Sequence, residues 1–302
     1  MRNRMKLSAA ALAGAGALAL AAIACSGPEA EKSEAPMAAA TAAPTTPVTP
    51  AVKTRTVTPP AEAPHWAYEG EAGPGSWGKL SADFAACSAG RNQSPIDIGA
   101  TTSAALPDLR TAFRAAELKI AHHEHFGDAI NNGHTIQVNY PQGDTLIVGD
   151  ESFELAQYHF HGPSEHTVAG EHSPMEMHLV HKSSAGKLAV IGVLIEQGAH
   201  NAAFEPIWSN LPKTKGVESH FEHVKVNVDD LLPQARTTYR YDGSLTTPPC
   251  SEGVKWFVMT TPVELSAAQI AAFTAIIEAN NRPVQPLNGR VVITDRVEQV
   301  RR

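Results

Sequence analysis

Between Thr135 and Met259 the chain repeats one device: short runs in which apolar and polar side chains alternate. The runs are Thr135–Tyr140, Asp144–Val148, Gln157–His161, Met175–His181, Leu188–Ile195, His223–Val228, Thr237–Tyr241 and Val254–Met259. A period of two sends alternate side chains to opposite faces of a strand. Turn chemistry such as Pro141-Gln142-Gly143-Asp144 separates the runs. One clear helix is expected, Ser266–Ala279, with Ser266 as N-cap and Ile270, Phe273, Ile276 and Ile277 on its apolar side. The pattern predicts a mainly β (α+β) single domain over residues 65–302, dominated by one large sheet. With 43% hydrophobic and 18% charged residues, the chain has enough apolar side chains to fill its core.

The chain before residue 65 has another character. Arg2, Arg4 and Lys6 precede an Ala/Leu/Gly run that ends at Ala24, which reads as a signal peptide over residues 1–24. Ala22-Ile23-Ala24-Cys25 resembles the bacterial lipobox, with Ala22 where leucine is usual, and it also satisfies the A-x-A rule of ordinary cleavage. Three cysteines leave one over in an exported chain. Lipidation of Cys25 leaves Cys87 and Cys250 to pair in a disulfide. Ser26 resembles the residue that sorts lipoproteins to the outer membrane. Residues 25–64 are rich in Ala, Pro and Thr and read as a lipid-anchored flexible tether, since they lack the apolar side chains that would offset ordering entropy. The expected location is therefore periplasmic, with the membrane contacted only through the lipid. Loss of the signal removes three positive charges and no acid, taking the net charge from −7 to about −10. Such a chain is a poor partner for nucleic acid.

The chemistry concentrates in QYHFHGPSEH, residues 157–166. On a strand His159 and His161 share a face with Gln157, close enough for both imidazoles to reach one metal ion. MEMHLVH, residues 175–181, supplies His178 on the same face as Glu176. Three neutral imidazoles on neighbouring strands leave a fourth tetrahedral position open, the pattern of a catalytic zinc. Gln157 and Glu176 are placed to accept the second ring N–H of a ligating histidine. Spacing alone leaves an alternative: His159, His161 and Glu165 form the first half of a cupin metal motif, although its second half, P-x-G-x2-H, is absent after Pro174. His122, His123 and His125 read as a solvated strand end, and His166, His172 and His181 carry no assigned chemistry.

From HWAYEG at 65 through NQSPIDI at 92, INNGHTIQV at 130, QYHFHGPSEHTVAGEH at 157 and MEMHLVH at 175, the domain resembles an α-class carbonic anhydrase of the bacterial exported branch. LAVIGVLIEQG at 188, YDGSLTTPPCSEGVKWFVM at 241 and NRPVQPLNGR at 281 continue the match in the same order. The resemblance implies a large, twisted, mostly antiparallel central sheet with short peripheral helices. It implies Zn2+ held by His159, His161 and His178, and reversible hydration of carbon dioxide to bicarbonate by a zinc-held hydroxide. By the same resemblance His134 is the proton shuttle, Thr246 the gatekeeper and Glu165 the acceptor that orients Thr246, which removes Glu165 from the ligands. Val180, Val190, Leu245, Thr247 and Trp256 match the substrate side. Gln157, Glu176, Tyr68, Asn132 and Gln137 match the polar groups behind the ligands and along the cavity. Gly75-Ser76-Trp77 departs from the family, which often carries Glu-His before the tryptophan. Cis bonds at Ser94-Pro95 and Pro248-Pro249 and a homodimer are further implications. A zinc-free binding module of the same fold is the competing function, and the presence of all three histidines with Thr246 and Glu165 argues against it.

Overall fold

The computed structural model describes residues 52–56 (backbone only), 65–121 (without the side chains of 120 and 121) and 134–295. The segment read as a signal peptide, Cys25, most of the segment read as a tether, His122–His125 and Asn132 lie outside the described residues.

The eight expected runs all contribute strands, because alternating β-branched and aromatic side chains pack on both faces of a pleated surface. The longest, Glu151–His161, pairs antiparallel with Met175–Lys182, and that strand pairs antiparallel with Leu188–Gln197. Beyond it, Leu188–Gln197 runs parallel to Glu252–Met259, which returns to antiparallel pairing with Thr238–Ser244. On the other side of Glu151–His161 lie Gln137–Asn139, Ala116–Ala121 and Val217–Val226, all antiparallel. These strands belong to one 14-stranded mixed sheet. A 3-stranded sheet holds Asp97–Ile98, Thr167–Val168 and Glu171–His172.

Period-two alternation splits the sheet into two apolar faces. Tyr158, Phe160, Met177, Leu179, Ile191 and Phe257 enter one buried cluster, while Val180, Val190, Val258 and Trp256 enter another. Each large side chain fully removed from water stabilises the fold by about 2 kcal/mol. Strands buried on both faces are stiff supports, and Gln157–His161 is buried at every position.

Three local readings differ from expectation. Val52–Thr56, within the segment read as tether, forms a strand antiparallel to Val217–Phe221. Its Val-x-Thr-x-Thr spacing suits a strand, and the exposed edge beside it supplies the backbone partners. The strand expected at His223–Val228 begins earlier, at Val217, with a bulge between Phe221 and Lys225. Its residues are mostly polar on both faces, so hydrophobic alternation does not mark its start. The helix begins as expected, with a capping box between Ser266 and Gln269, but spans only Ala267–Thr274. The chain leaves the helix to bring Asn280 against Gly162, whose N–H donates to Asn280 Oδ1 at 2.8 Å.

The bonds at Ser94-Pro95 and Pro248-Pro249 are cis, and so is Gly162-Pro163. Cys87 and Cys250 form a disulfide. Among the described residues no helix is long and apolar enough to cross a membrane.

Candidate metal centre

Register builds the site. His178 stands directly opposite His159, and Glu176 opposite His161. The three imidazole rings converge, with centroids 5.0 Å apart for His159 and His161, 5.2 Å for His159 and His178, and 4.6 Å for His161 and His178. One nitrogen from each ring lies within 4.8 Å of the others, and all three residues are buried.

The opposite nitrogen of each ring is committed to an oxygen. His159 Nδ1 donates to Gln157 Oε1 at 2.8 Å, His161 Nδ1 to the Asn280 carbonyl at 2.7 Å, and His178 Nε2 to Glu176 Oε1 at 2.8 Å. Each acceptor fixes a tautomer. The nitrogens turned inward are therefore Nε2 of His159, Nε2 of His161 and Nδ1 of His178, each bearing a lone pair. Burial pushes His161 down to about 4 and also lowers His178, which keeps both rings neutral. Three neutral, tautomer-fixed nitrogen donors suit a zinc ion with an open fourth position.

Behind the ligands Glu176 is fully buried, which by itself raises its pKa. His166 and His178 override burial through charge and hydrogen bonds and hold it well below the usual carboxylate range. Its Oε2 also accepts the backbone N–H groups of Glu165 at 2.9 Å and His166 at 2.8 Å. Gly192 faces His178 in register, and a Cβ there would meet Glu176 Oε1 at 2.9 Å. A glycine lets the carboxylate pass beneath the ligand.

Glu165 is also buried. Desolvation raises it to about 7, opposed by His178, by the Arg282 backbone N–H at 2.9 Å and by the neighbouring Thr246 side chain. Its Oε2 lies 3.6 Å from His161 Nε2 and 3.8 Å from His178 Nδ1. Glu165 therefore lies against the triad, with Thr246 among its neighbours. Thr246 and Thr247 are buried just past the strand Thr238–Ser244, and Cys250 N–H closes their turn on the Thr247 carbonyl at 2.8 Å.

The same sheet face is polar on one side of the triad and apolar on the other. Gln137 pairs with His159, and Asn139 with Gln157. Across the triad Val180 pairs with Val190, and Val190 with Trp256; Leu245 packs against that cluster. His134 stacks on Trp66 at 4.2 Å, with Tyr68 edge-on at 5.6 Å.

Several site residues went unassigned in the sequence. His166, read there as lacking a role in the chemistry, donates from Nδ1 to Glu176 at 2.7 Å and shares a 2.7 Å hydrogen bond with the Tyr241 hydroxyl through Nε2. Asn280 holds His161. Arg282 is almost fully buried and donates to Gln93 Oε1, the Ser94 carbonyl and the Cys87 carbonyl at 2.7–2.8 Å. The only signal was for Arg282, within NRPVQPLNGR at 281; Asn280 lies just before that motif, and both are more than a hundred residues beyond the triad.

A model of the eukaryotic-type carbonic anhydrase family matches residues 72–296. The chain belongs to the carbonic anhydrase family. A carbonic anhydrase of Pectobacterium carotovorum is 44% identical over 230 residues, spanning 76% of this chain and 90% of that protein. A carbonic anhydrase of Nostoc is 45% identical over 240 residues, spanning 78% and 89%. Among solved structures, the α-carbonic anhydrase of Thermovibrio ammonificans in complex with the inhibitor sulfanilamide is 41% identical, with a TM-score of 0.72 over 77% of this chain and 100% of that one. The mostly antiparallel sheet with peripheral short helices is thus a carbonic anhydrase fold, and His159, His161 and His178 form a triad able to bind metal in it.

Proposed function

We propose that this chain catalyses the reversible hydration of carbon dioxide to bicarbonate and a proton, with Zn2+ held by His159, His161 and His178. The observation that carries the reading is the triad itself: three converging neutral nitrogens with tautomers set by Gln157, Asn280 and Glu176. Zinc held there supplies charge that lowers the pKa of a water ligand to about 7, an effect for which carbonic anhydrases are the reference case.

The protein's own residues do the rest. Val180, Val190, Leu245 and Trp256 offer an apolar wall that holds an uncharged, apolar substrate loosely. Loose holding is adequate, because tight ground-state binding would not lower the barrier. Thr246 donates its hydroxyl proton to Glu165, so only its acceptor lone pairs face the triad. It therefore takes a hydrogen bond from the attacking oxygen and aims it at carbon. His134, braced by Trp66 and Tyr68, carries the released proton outward on its imidazole, the side-chain type suited to proton exchange near neutrality.

The test is zinc content and carbon dioxide hydration of the purified protein. One zinc per chain, activity inhibited by sulfanilamide, and loss of both metal and activity in His178→Ala are expected. Full zinc and activity in that variant would overturn the ligand assignment. In the same assay His134→Ala should lower kcat in dilute buffer with little change in kcat/KM, and added imidazole should restore part of the rate. An unchanged kcat would pass the relay to another group.

The cellular setting belongs to the same proposal: export to the periplasm and a lipid anchor at Cys25. The Cys87–Cys250 disulfide supports it, because that pair leaves Cys25 as the remaining cysteine of three.

A further inference from the structure

We infer that Glu218 is a positioning residue for the reaction proposed above: acting through Asn139, it decides which end of the Gln137 amide is turned toward the metal centre. Glu218 pairs in register with Ala121, Ala121 with Gln137, and Gln137 with His159. Directly paired residues share a face, so Glu218, Gln137 and His159 lie in one row. Asn139 Nδ2 donates to Glu218 Oε1 at 3.1 Å, and Gln137 Nε2 donates to Asn139 Oδ1 at 2.5 Å.

The chain has a direction because its outer end is a carboxylate. An ionised carboxylate only accepts. Asn139 must therefore show it the NH2 group, which turns Asn139 Oδ1 toward Gln137. Gln137 must answer with its own NH2, leaving Oε1 as its remaining polar atom. That oxygen is buried and takes no hydrogen bond from the described residues. Gln157 is fixed in the opposite sense: its Oε1 is held by His159 Nδ1, and its Nε2 is likewise buried without a partner among the described residues. One acceptor and one donor therefore flank His159, each at a residue no more than 5% exposed. Buried polar atoms of this kind are satisfied by ordered water. A water meeting one fixed acceptor and one fixed donor has a fixed orientation, which is what proton transfer from the metal centre toward His134 requires.

Among the described residues, the hydrogen bond to Asn139 is what sets this polarity. An isolated glutamine amide is free to turn over, and a turned Gln137 would present a donor where it now presents an acceptor. Glu218, at the far end of the ladder and near the sheet edge, excludes that arrangement.

The test compares Glu218→Gln with Glu218→Lys. Glutamine removes the charge but keeps an acceptor for Asn139, so the ladder keeps its direction. Lysine only donates and forces both amides to turn over. Glu218→Lys should lower kcat in dilute buffer about tenfold, leaving kcat/KM and zinc content unchanged, while Glu218→Gln behaves as wild type. In the metal-free protein the side-chain NH2 signals of Gln137 and Asn139 should shift in Glu218→Lys and hold in Glu218→Gln by 1H–15N NMR. Unmoved amide signals in Glu218→Lys, or a parallel fall of kcat, kcat/KM and melting temperature, would overturn the inference. An inactive wild type would instead sink the proposed reaction, and the metal-free amide signals would still read the ladder.

Discussion

His181 lies three residues beyond His178 on the same strand, yet its environment gives it the opposite character. It is fully buried, stacks on Phe113 at 5.8 Å, and has no aligned hydrogen bond at either ring nitrogen. Burial pushes its pKa down to about 4, with the Leu179 and Ala189 backbone offsetting part of the effect. The folded protein thus keeps this ring neutral while the unfolded chain protonates it below about 6.5. Its contribution to stability is complete above the unfolded pKa, falls as pH drops from about 6.5 toward 4, and changes no further below that. Between pH 7 and pH 5 the loss amounts to about 2 kcal/mol. Urea unfolding at the two pH values should show a loss smaller by about that amount in His181→Met than in the wild type, where the buried rings of the triad add their own share. A variant that loses as much stability as the wild type would show that the ring titrates normally.

At the scale of elements, the position of each strand in the sheet explains what it does. The histidine triad occupies Glu151–His161 and Met175–Lys182, each flanked by strands on both sides, where registry is held from two directions. Among the described residues Val52–Thr56 occupies an outer edge and pairs with one neighbour only, over the five residues from Val217 to Phe221. An unpaired edge presents backbone donors and acceptors to solvent and to other chains. Deleting Val52–Thr56 should therefore speed amide exchange across Val217–Phe221 while leaving carbon dioxide hydration close to wild type. Unchanged exchange at those amides would show that the strand contributes no protection there.

Across the whole molecule, the disulfide ties two distant parts of the chain beside the site. Cys87 follows Trp77 in a cluster with Trp66 and Phe84, and Cys250 follows the turn that carries Thr246 and Thr247. Arg282 knits the same region by donating to the Cys87 carbonyl, while its backbone N–H donates to Glu165. A crosslink with a sequence separation of 163 limits the unfolded chain and stabilises the fold by at most about 5 kcal/mol. Non-reduced peptide mapping of protein from a bacterial membrane fraction should recover Cys87 linked to Cys250 and Cys25 carrying an acyl mass. A free amine at Cys25 would exclude the anchor, and a free thiol at Cys87 or Cys250 would exclude the pairing.

The sequence by itself determined the strands of the site and the residues that share their faces. Side-chain direction in a strand depends on parity alone, so His159, His161 and Gln157 are set on one face by three letters of sequence, and Glu176 and His178 by another three. The order of motifs along the domain then implied the pairing of Thr246 with Glu165. Partners remote in the chain were a different matter. Asn280 and Arg282 reach His161 and Glu165 across 119 and 117 residues, and His166 meets Tyr241 across 75. No periodicity links such positions, because contacts of that kind follow from which strands become neighbours. The edge strand Val52–Thr56 and the polar strand from Val217 were hidden for the same reason: backbone pairing defines them, and hydrophobic alternation does not. Only the tertiary structure set the direction of the Glu218–Asn139–Gln137 ladder, since an amide takes its orientation from the atoms that the folded sheet places beside it.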